Sequence, residues 1–204
     1  MQCGPIRYTA AQTTAESKVL VVLPRSVSST LAVPDNAGIQ DVFGALIQDA
    51  QRNAAVVADV IAAYQEGRKV LVLTERAEHI KLLQQAFAEQ IAQLFVLHGR
   101  MTRKQRNALV DELNALDGHC PRVLLATGKL VGDGFDHPPL DTLVLAMPIS
   151  WKGTLQQYAG RLHRDHEGKT DIRIYDYVDS GPAALLRMWE KRQRGYKAMG
   201  YQLG

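Results

Sequence analysis

Two arginines stand three residues apart in the stretch QYAGRLHR, which covers residues 157–164. On a helix, Arg161 and Arg164 would project from one face, with Gln157 one turn back on the same face. Two guanidinium groups that converge in this way suit phosphoryl transfer, in which negative charge builds on the γ-phosphate and on the leaving oxygen. The stretch therefore predicts a site for a phosphate group.

A second group of candidate residues precedes this stretch, in the connection between two apolar runs. The first run ends at Ala126-Thr127, and the connection closes on Gly134-Phe135-Asp136 before the next run begins. In parallel sheets, ligands bind at the loops that follow the carboxyl ends of the strands, and glycine lets backbone amides approach a phosphate or a ribose. The connection is thus a second candidate for nucleotide contact.

The elements that must position these residues follow from the hydrophobic pattern. Continuous apolar runs have the length of buried strands, and the segments between them have helical periodicity. The runs cover residues 70–73, 94–97, 122–127, 142–147 and 172–178. Strands that alternate with helices predict an α/β fold with a mostly parallel sheet flanked by helices.

The N-terminal part of the chain has a different pattern. IRYTA at 6–10 and KVLVVLP at 18–24 predict two strands that could pair as a hairpin, and the turn-rich segment 26–38 predicts an irregular connection. Residues 39–65 then predict one or two helices. We therefore divide the chain into a short β appendage with its irregular connection, residues 1–38, and an α/β domain, residues 39–204.

The composition predicts a single soluble domain. The 204 residues are 46% hydrophobic and 22% charged, with a formal net charge of +3, which suits one core. Cys3 and Cys120 form no C-x-x-C pair, and neither a signal peptide nor a run of membrane-spanning length is present. These features favour a cytoplasmic protein with no membrane partner. No cysteine or well-spaced carboxylate completes a ligand set with the histidines at 98, 137, 163 and 166, so we predict no metal site.

Two stretches imitate parts of an ATP-binding site. Gly168-Lys169-Thr170 has the end of a P-loop, but a P-loop needs a glycine where His163 stands, and it opens a helix rather than preceding a strand. Asp111-Glu112 lies within an amphipathic pattern instead of ending an apolar strand, so we expect it at the surface. Neither stretch therefore predicts a P-loop or a magnesium-binding acidic pair.

Several cations crowd the end of the chain against a single acid, Glu190. They could lie near phosphate groups, or they could form a solvated helix face that covers apolar surface. They are Arg187, Lys191, Arg192, Arg194 and Lys197.

The order of these patterns resembles that of a known family. QYAGRLHR resembles helicase motif VI, Q-x-x-G-R-x-x-R, and the connection that ends at Asp136 resembles motif V, although from Thr127 onward it is one residue longer than the common form. VLVLTERAEHIKLL at 70–83 resembles motif IV, and VLHGRMTRKQR at 96–106 resembles the strand, turn and arginine-bearing helix that follow it. Over about 68–179, the chain resembles the C-terminal RecA-like lobe of a superfamily 2 DExH-type helicase or translocase. Among these, the type III restriction subunit-like group is the nearest in pattern.

This resemblance implies roles for individual residues. Arg164 would be the arginine finger, Arg161 its partner at the γ-phosphate, and Gln157 a residue that orders the site. Gly134, Asp136 and Gly160 would contact the nucleotide. The residues implied to contact the nucleic-acid backbone are Thr74, Thr127, Gly128 and Arg103.

The resemblance also implies partners and an activity. The chain would be half of an ATP-dependent motor that steps along DNA or RNA, with DNA favoured, and with ATP and magnesium bound chiefly by an N-terminal RecA-like lobe. We expect that lobe to precede Met1 in a longer parent protein, and we expect the isolated chain to be inactive. A non-catalytic RecA-like module that binds nucleic acid or another protein is the alternative. An unrelated α/β enzyme such as a nucleotide-sugar transferase is a third possibility, which no suitably placed acid pair supports.

Overall fold

Strands and helices alternate along the chain, as the hydrophobic pattern predicts. We used a computed structural model, which describes residues 18–27, 34, 37–128, 135–149 and 152–204, without the side chains of residues 152 and 153. Its strands are β1 (Val19–Val27), β2 (Lys69–Thr74), β3 (Leu94–Leu97), β4 (Arg122–Thr127), β5 (Thr142–Leu145), β6 (Asp171–Asp179) and β7 (Gln202–Leu203). Its helices are α1 (Ile39–Gln48), α2 (Ala50–Gln65), α3 (Ala77–Phe87), α4 (Arg103–Ala115), α5 (Lys152–Leu162) and α6 (Ala183–Ala198).

The strands form one parallel sheet in the order β3-β4-β2-β5-β6-β1-β7. The predicted α/β fold with a parallel sheet and flanking helices is confirmed. The register places Thr74, at the end of β2, opposite Thr127, at the end of β4. The carboxyl ends of these central strands are therefore level with each other, and the segments that follow them leave from one edge of the sheet.

The strand predicted at 18–24 is present as β1 and extends to Val27. It pairs with β6 from Val19, opposite Asp171, to Val27, opposite Asp179, and β7 pairs with its other side. This strand therefore belongs to the same sheet as the other six. The strand predicted at 6–10 and its hairpin lie outside the described residues, and the division of the chain at residues 38 and 39 stays a prediction.

Alternate residues of the central strands pack against helices on the two faces of the sheet, because side chains of a strand point to opposite faces in turn. On one face, Leu71 and Leu124 pack in a cluster that includes Leu113 of α4 and side chains of α5 and α6. On the other, Val70 and Val123 pack with side chains of α2 and α3. Both faces are buried, which explains why the strands are continuous apolar runs.

Local signals determine where several helices begin. The hydroxyl of Thr102 accepts a hydrogen bond from the Gln105 backbone N–H (3.3 Å), and the Gln105 amide oxygen accepts one from the Thr102 N–H (2.9 Å). This reciprocal pair is a capping box at the start of α4. The Asp49 carboxylate caps α2 by accepting from the Arg52 N–H, so the predicted helical segment 39–65 is two helices. Within the described ranges, no helix has the length and apolar character needed to cross a membrane.

Candidate functional site

The predicted site residues divide between the two edges of the sheet. Asp136 and Arg164 lie where the strands begin, because His137 contacts Arg122 at the start of β4, and Asp165 pairs with Lys18 just before β1. The expectation that Asp136 lies at the carboxyl ends of the strands is therefore wrong. Thr74 and Thr127 are the last residues of β2 and β4, and Arg103 opens α4, which follows β3. Gln157, Gly160 and Arg161 lie on α5, which follows β5. Gly134 lies outside the described residues.

The exposed ion pair between Arg164 and Asp136 joins the two candidate stretches. Arg164 Nε lies 3.4 Å from Asp136 Oδ1, and the two side chains are 58% and 44% exposed. An ion pair this exposed contributes little to stability, because water screens it and two side chains must be held in place. The pair therefore holds both groups near one point of the surface while leaving them open to a ligand.

The helix that carries Arg161 is shorter than the sequence pattern implied. α5 spans Lys152–Leu162, so Gln157 and Arg161 lie on it, but Arg164 follows its last residue by two positions. The prediction that Arg161 and Arg164 project from one helical face is therefore wrong. Arg164 is presented by the turn after the helix, and this turn brings it to Asp136.

Gly160 has no neighbour that requires a glycine. A Cβ atom built on it meets no heavy atom of the described residues within 4 Å, apart from its chain neighbours and the local helix backbone, and the residue is exposed. Glycine inside a helix is less stable than alanine by about 1 kcal/mol. The chain's own packing therefore gives no reason for a glycine on this surface of α5.

At Gly128, the close approach of the Tyr158 side chain leaves no room for a larger residue. A Cβ atom there would lie 2.7 Å from Tyr158 Cζ and would collide with the Tyr158 hydroxyl oxygen. Tyr158 is only 4% exposed, and burial, with a contribution from the Glu75 carboxylate, raises its pKa to about 12. A neutral phenol on α5 therefore packs directly against the residue that follows β4.

The hydroxyl of Thr74 points into the protein. Thr74 is 1% exposed, and its Oγ1 lies 2.8 Å from Nδ1 of the buried His79. His79 Nε2 lies 3.0 Å from Asn53 Oδ1, while Asn53 Nδ2 donates to the carbonyl of Ile47. Because the Asn53 oxygen must accept from His79 Nε2–H, His79 Nδ1 accepts the Thr74 hydroxyl proton. The structure does not support the predicted phosphate contact from the Thr74 hydroxyl.

Two other predictions concern charged and metal-binding side chains. Of the cations near the end of the chain, Arg192 is 3% exposed and forms two hydrogen bonds to the Asp176 carboxylate, whereas its neighbours Arg187, Lys191, Arg194 and Lys197 are exposed. The interpretation as a solvated helix face therefore fits these four exposed cations but not Arg192, which is buried. Asp111 and Glu112 are exposed on α4, as predicted. In the part of the chain that the structure describes, no three His, Cys, Asp or Glu side chains are grouped to hold a metal ion.

Sequence reasoning assigned no role to two residues near the candidate site. Tyr158 stands beside Gln157, and its proximity to the motif was the only available signal. Lys169, within the stretch that imitates a P-loop, donates hydrogen bonds to backbone carbonyls on both sides of the Arg164–Asp136 pair. Nothing in the sequence distinguishes this arrangement from a solvated lysine.

The parallel sheet with helices on both faces has the architecture of a RecA-like α/β fold. The family model "Helicase conserved C-terminal domain" matches residues 52–166, more than half of the chain, and the chain belongs to this family.

Named relatives agree with this assignment. The chain is 27% identical over 137 residues to "Probable helicase D10" of Escherichia phage T5, and 25% identical over 138 residues to "Transcript termination protein A18" of Fowlpox virus. These matches cover 65% and 67% of this chain but only 30% and 29% of the relatives, so the chain corresponds to less than a third of each. The crystal structure of T4 UvsW is similar in fold, with a TM-score of 0.67 and 18% identity over 91% of this chain and 40% of that one.

Proposed function

We propose that this chain is the second motor lobe of an ATP-dependent helicase or translocase that moves along DNA. In this proposal, a first RecA-like lobe of the same parent protein binds most of the ATP and its magnesium ion. The present lobe closes on the γ-phosphate with Arg161 and Arg164, while Gln157 orders the site. Without the first lobe, the chain has little affinity for ATP, because phosphate affinity in such motors resides mainly in the P-loop and its metal.

The Arg164–Asp136 pair carries the proposal. Arg164 stands in the turn after α5, at the edge where the strands begin, and its side chain is more than half exposed. Among the described residues its ion-pair partner is an exposed carboxylate 3.4 Å away. A polyphosphate presents more negative charge than one carboxylate, and the guanidinium group can bind it through two parallel hydrogen bonds. Asp136 would then keep the Arg164 side chain close to its binding position before the lobes close. After closure, Asp136 and Gly134 would contact the ribose of the nucleotide.

The exposed glycine on α5 gives independent support. Gly160 lies one residue before Arg161, and none of the described residues occupies the space beside it. A glycine with no packing role inside the chain is useful where another surface must come close to the helix backbone. In the proposal, that surface is the nucleotide or the first lobe in the closed state.

The nucleic-acid track would run along the opposite edge of the sheet, where the strands end. Thr127 is half-buried at the end of β4, Gly128 follows it, and Arg103 is exposed at the start of α4. Main-chain N–H groups and a cation at strand and helix ends bind phosphates without reading bases. At Thr74, whose hydroxyl points inward, only main-chain groups would contribute.

The deciding experiment measures nucleic-acid-stimulated ATP hydrolysis by the two-lobe protein. Arg164→Ala should lower turnover by about 10³–10⁵, because an arginine finger acts mainly on the transition state. Arg164→Lys should be nearly as inactive, since one ammonium group cannot replace the planar guanidinium. The matched control is Arg187→Ala, which removes an exposed arginine from α6.

Two results would contradict the proposal. Near-normal turnover of Arg164→Ala would remove this residue from the active site. A wild-type protein that binds DNA but whose ATP hydrolysis does not respond to it would favour the non-catalytic, nucleic-acid-binding alternative. A thermal melt of each variant separates loss of activity from loss of folding.

A further inference from the structure

The ammonium group of Lys169 is surrounded by backbone carbonyl oxygens. It donates hydrogen bonds to the carbonyls of Pro138 (2.6 Å), Leu162 (2.9 Å) and Arg164 (2.8 Å). A lysine side chain has three N–H donors, so these contacts use all of them. The side chain is half-buried, and such full use of its donors indicates a fixed position rather than a solvated chain.

The carbonyls belong to two separate pieces of the site. Leu162 is the last residue of α5, and its carbonyl is among those that a helix leaves without an intrahelical partner. Arg164 is the proposed finger itself. Pro138 lies in the other piece, the segment that follows β4, two residues after Asp136. One cation therefore ties the finger's turn to the segment that carries its carboxylate partner.

The local backbone keeps Lys169 under this turn. Gly168 has φ of 77°, a conformation that favours glycine, and the Lys169 N–H donates to the His166 carbonyl at 3.2 Å. The chain thereby reverses direction between the turn and β6. The stretch Gly168-Lys169-Thr170, which imitates a P-loop, thus binds the protein's own carbonyls.

We propose that Lys169 is a positioning residue that holds the Arg164 turn against the Asp136 segment, so that the finger is in place before the two lobes close. This inference rests on the proposed function for its catalytic consequence, but the ordering of the turn can be measured without it. A cation that only capped α5 would need the carbonyls at the helix end. The contact with Pro138 adds the connection between the two pieces.

The charge of Lys169 is also sensitive to pH. Burial, aided by the Lys18 ammonium, lowers the pKa of Lys169 to about 8. An uncharged amine has one N–H fewer and no charge to offer the carbonyls, so the turn should loosen above that pH. The titratable groups that act on Lys169, or on which it acts, are Lys18, Asp136, Asp141, Asp165, His137 and His163.

The first test compares hydrogen exchange in this chain as wild type, Lys169→Met and Lys191→Met. The second variant is the control, because Lys191 is exposed on α6. Lys169→Met should accelerate exchange in residues 136–140 and 163–166 and leave the sheet unchanged, whereas Lys191→Met should change neither segment. Unchanged exchange in both segments would overturn the inference.

The second test measures ATP hydrolysis by the two-lobe protein. Lys169→Met should lower kcat by on the order of 10- to 100-fold, because small displacements of a catalytic group have effects of this size, while KM for ATP changes little. Wild-type kcat should fall above about pH 8, and this alkaline fall should be missing in the variant. Normal kcat in Lys169→Met would overturn the inference.

The outcomes distinguish the two proposals. If the wild-type protein shows no DNA-stimulated hydrolysis, the proposed function fails, and hydrogen exchange alone decides whether Lys169 orders the turn. If Lys169→Met does not fold, the wild-type protein is compared at about pH 7 and about pH 9, after correction for the intrinsic pH dependence of exchange. Faster exchange confined to the two segments at the higher pH would support the inference, and equal exchange would refute it.

Discussion

Acid should destabilise this lobe well before its carboxylates are all protonated, because two histidines are buried in their neutral form. Burial, aided by the Arg52 cation, lowers the pKa of His79 to about 4. Burial, aided by Arg122, also lowers the pKa of His137 to about 4. The hydrogen bonds agree: an Arg122 nitrogen, which can only donate, lies 3.3 Å from His137 Nε2, and His137 Nδ1 donates to Asn114 Oδ1. A second ring proton would face an Arg122 N–H at His137 Nε2, and at His79 Nδ1 it would require the Thr74 hydroxyl to turn and accept instead of donating.

The sign follows from proton binding in the two states. Each histidine has an ordinary pKa of 6.5 when unfolded, so between about pH 6.5 and about pH 4 the unfolded chain binds more protons than the folded one. Stability is therefore fully present above the unfolded value and is lost as the pH falls. One pKa unit corresponds to about 1.4 kcal/mol, so each histidine should cost about 2 kcal/mol at about pH 5. Together they amount to about 4 kcal/mol, a large share of a typical domain stability of about 5–15 kcal/mol.

The assay is urea-induced unfolding of the chain, followed by circular dichroism at several values from about pH 7 to about pH 5. His79→Gln and His137→Gln should each be less stable than wild type at neutral pH, but each should lose about 2 kcal/mol less on acidification. His119→Gln, which changes an exposed histidine, should keep the wild-type pH dependence. If the double variant lost as much stability as wild type between these pH values, the assignment of the acid sensitivity to the buried histidines would be refuted.

Two further predictions concern glycines. Gly160→Ala should stabilise the chain by about 0.5–1 kcal/mol in urea unfolding, as should the control Gly44→Ala in α1, since neither new methyl meets an atom within 4 Å. Only Gly160→Ala should lower ATP hydrolysis by the two-lobe protein, and equal activity of the two variants would remove any need for close approach at Gly160. Gly128→Ala should destabilise by about 1–3 kcal/mol, because the methyl collides with buried Tyr158. The cost should shrink in a Tyr158→Ala background, and an unchanged cost in that double variant would mean that the collision is not the cause.

The strands could be predicted from the sequence because both faces of the sheet are buried. Strands buried on both faces consist of continuous apolar residues, as residues 122–127 do. The α4 start was likewise visible in the Thr102 and Gln105 pattern, since a capping box is a local device. Where α5 ends was not predictable, because three residues of helical pattern remain after Arg161. The carbonyls at its end accept hydrogen bonds from Lys169, seven residues beyond Leu162. Contacts of this kind depend on the folded chain and leave no periodicity.

The positions of β1 in the sheet and of Arg192 in the core could not be predicted either, because they too depend on contacts between distant parts of the chain. A strand at 18–24 is a local prediction, but its pairing with β6 joins residues about 150 positions apart, and no local signal encodes it. Arg192 stands among exposed cations and has the same residue type, yet it is buried against Asp176. The candidate site was predictable to the extent that its residues form contiguous stretches. The geometry of the site, including the inward direction of the Thr74 hydroxyl, could not be predicted from the sequence, because it depends on contacts between distant parts of the folded chain.

The contrast between two arginines explains why one is suited to act as a finger and the other is not. Arg192 is 3% exposed, forms two hydrogen bonds to Asp176 and also donates to the Ile149 carbonyl. Breaking such a buried pair typically costs about 3–5 kcal/mol, because a charge is left uncompensated, so Arg192 is committed to holding α6 against β6. Among the described residues, Arg164 forms an ion pair with the Asp136 carboxylate at 3.4 Å, exposed to water, where such a pair contributes about 0–1 kcal/mol. A phosphate that arrives from another lobe can therefore replace Asp136 at almost no cost in stability, whereas no ligand of ordinary affinity could recruit Arg192.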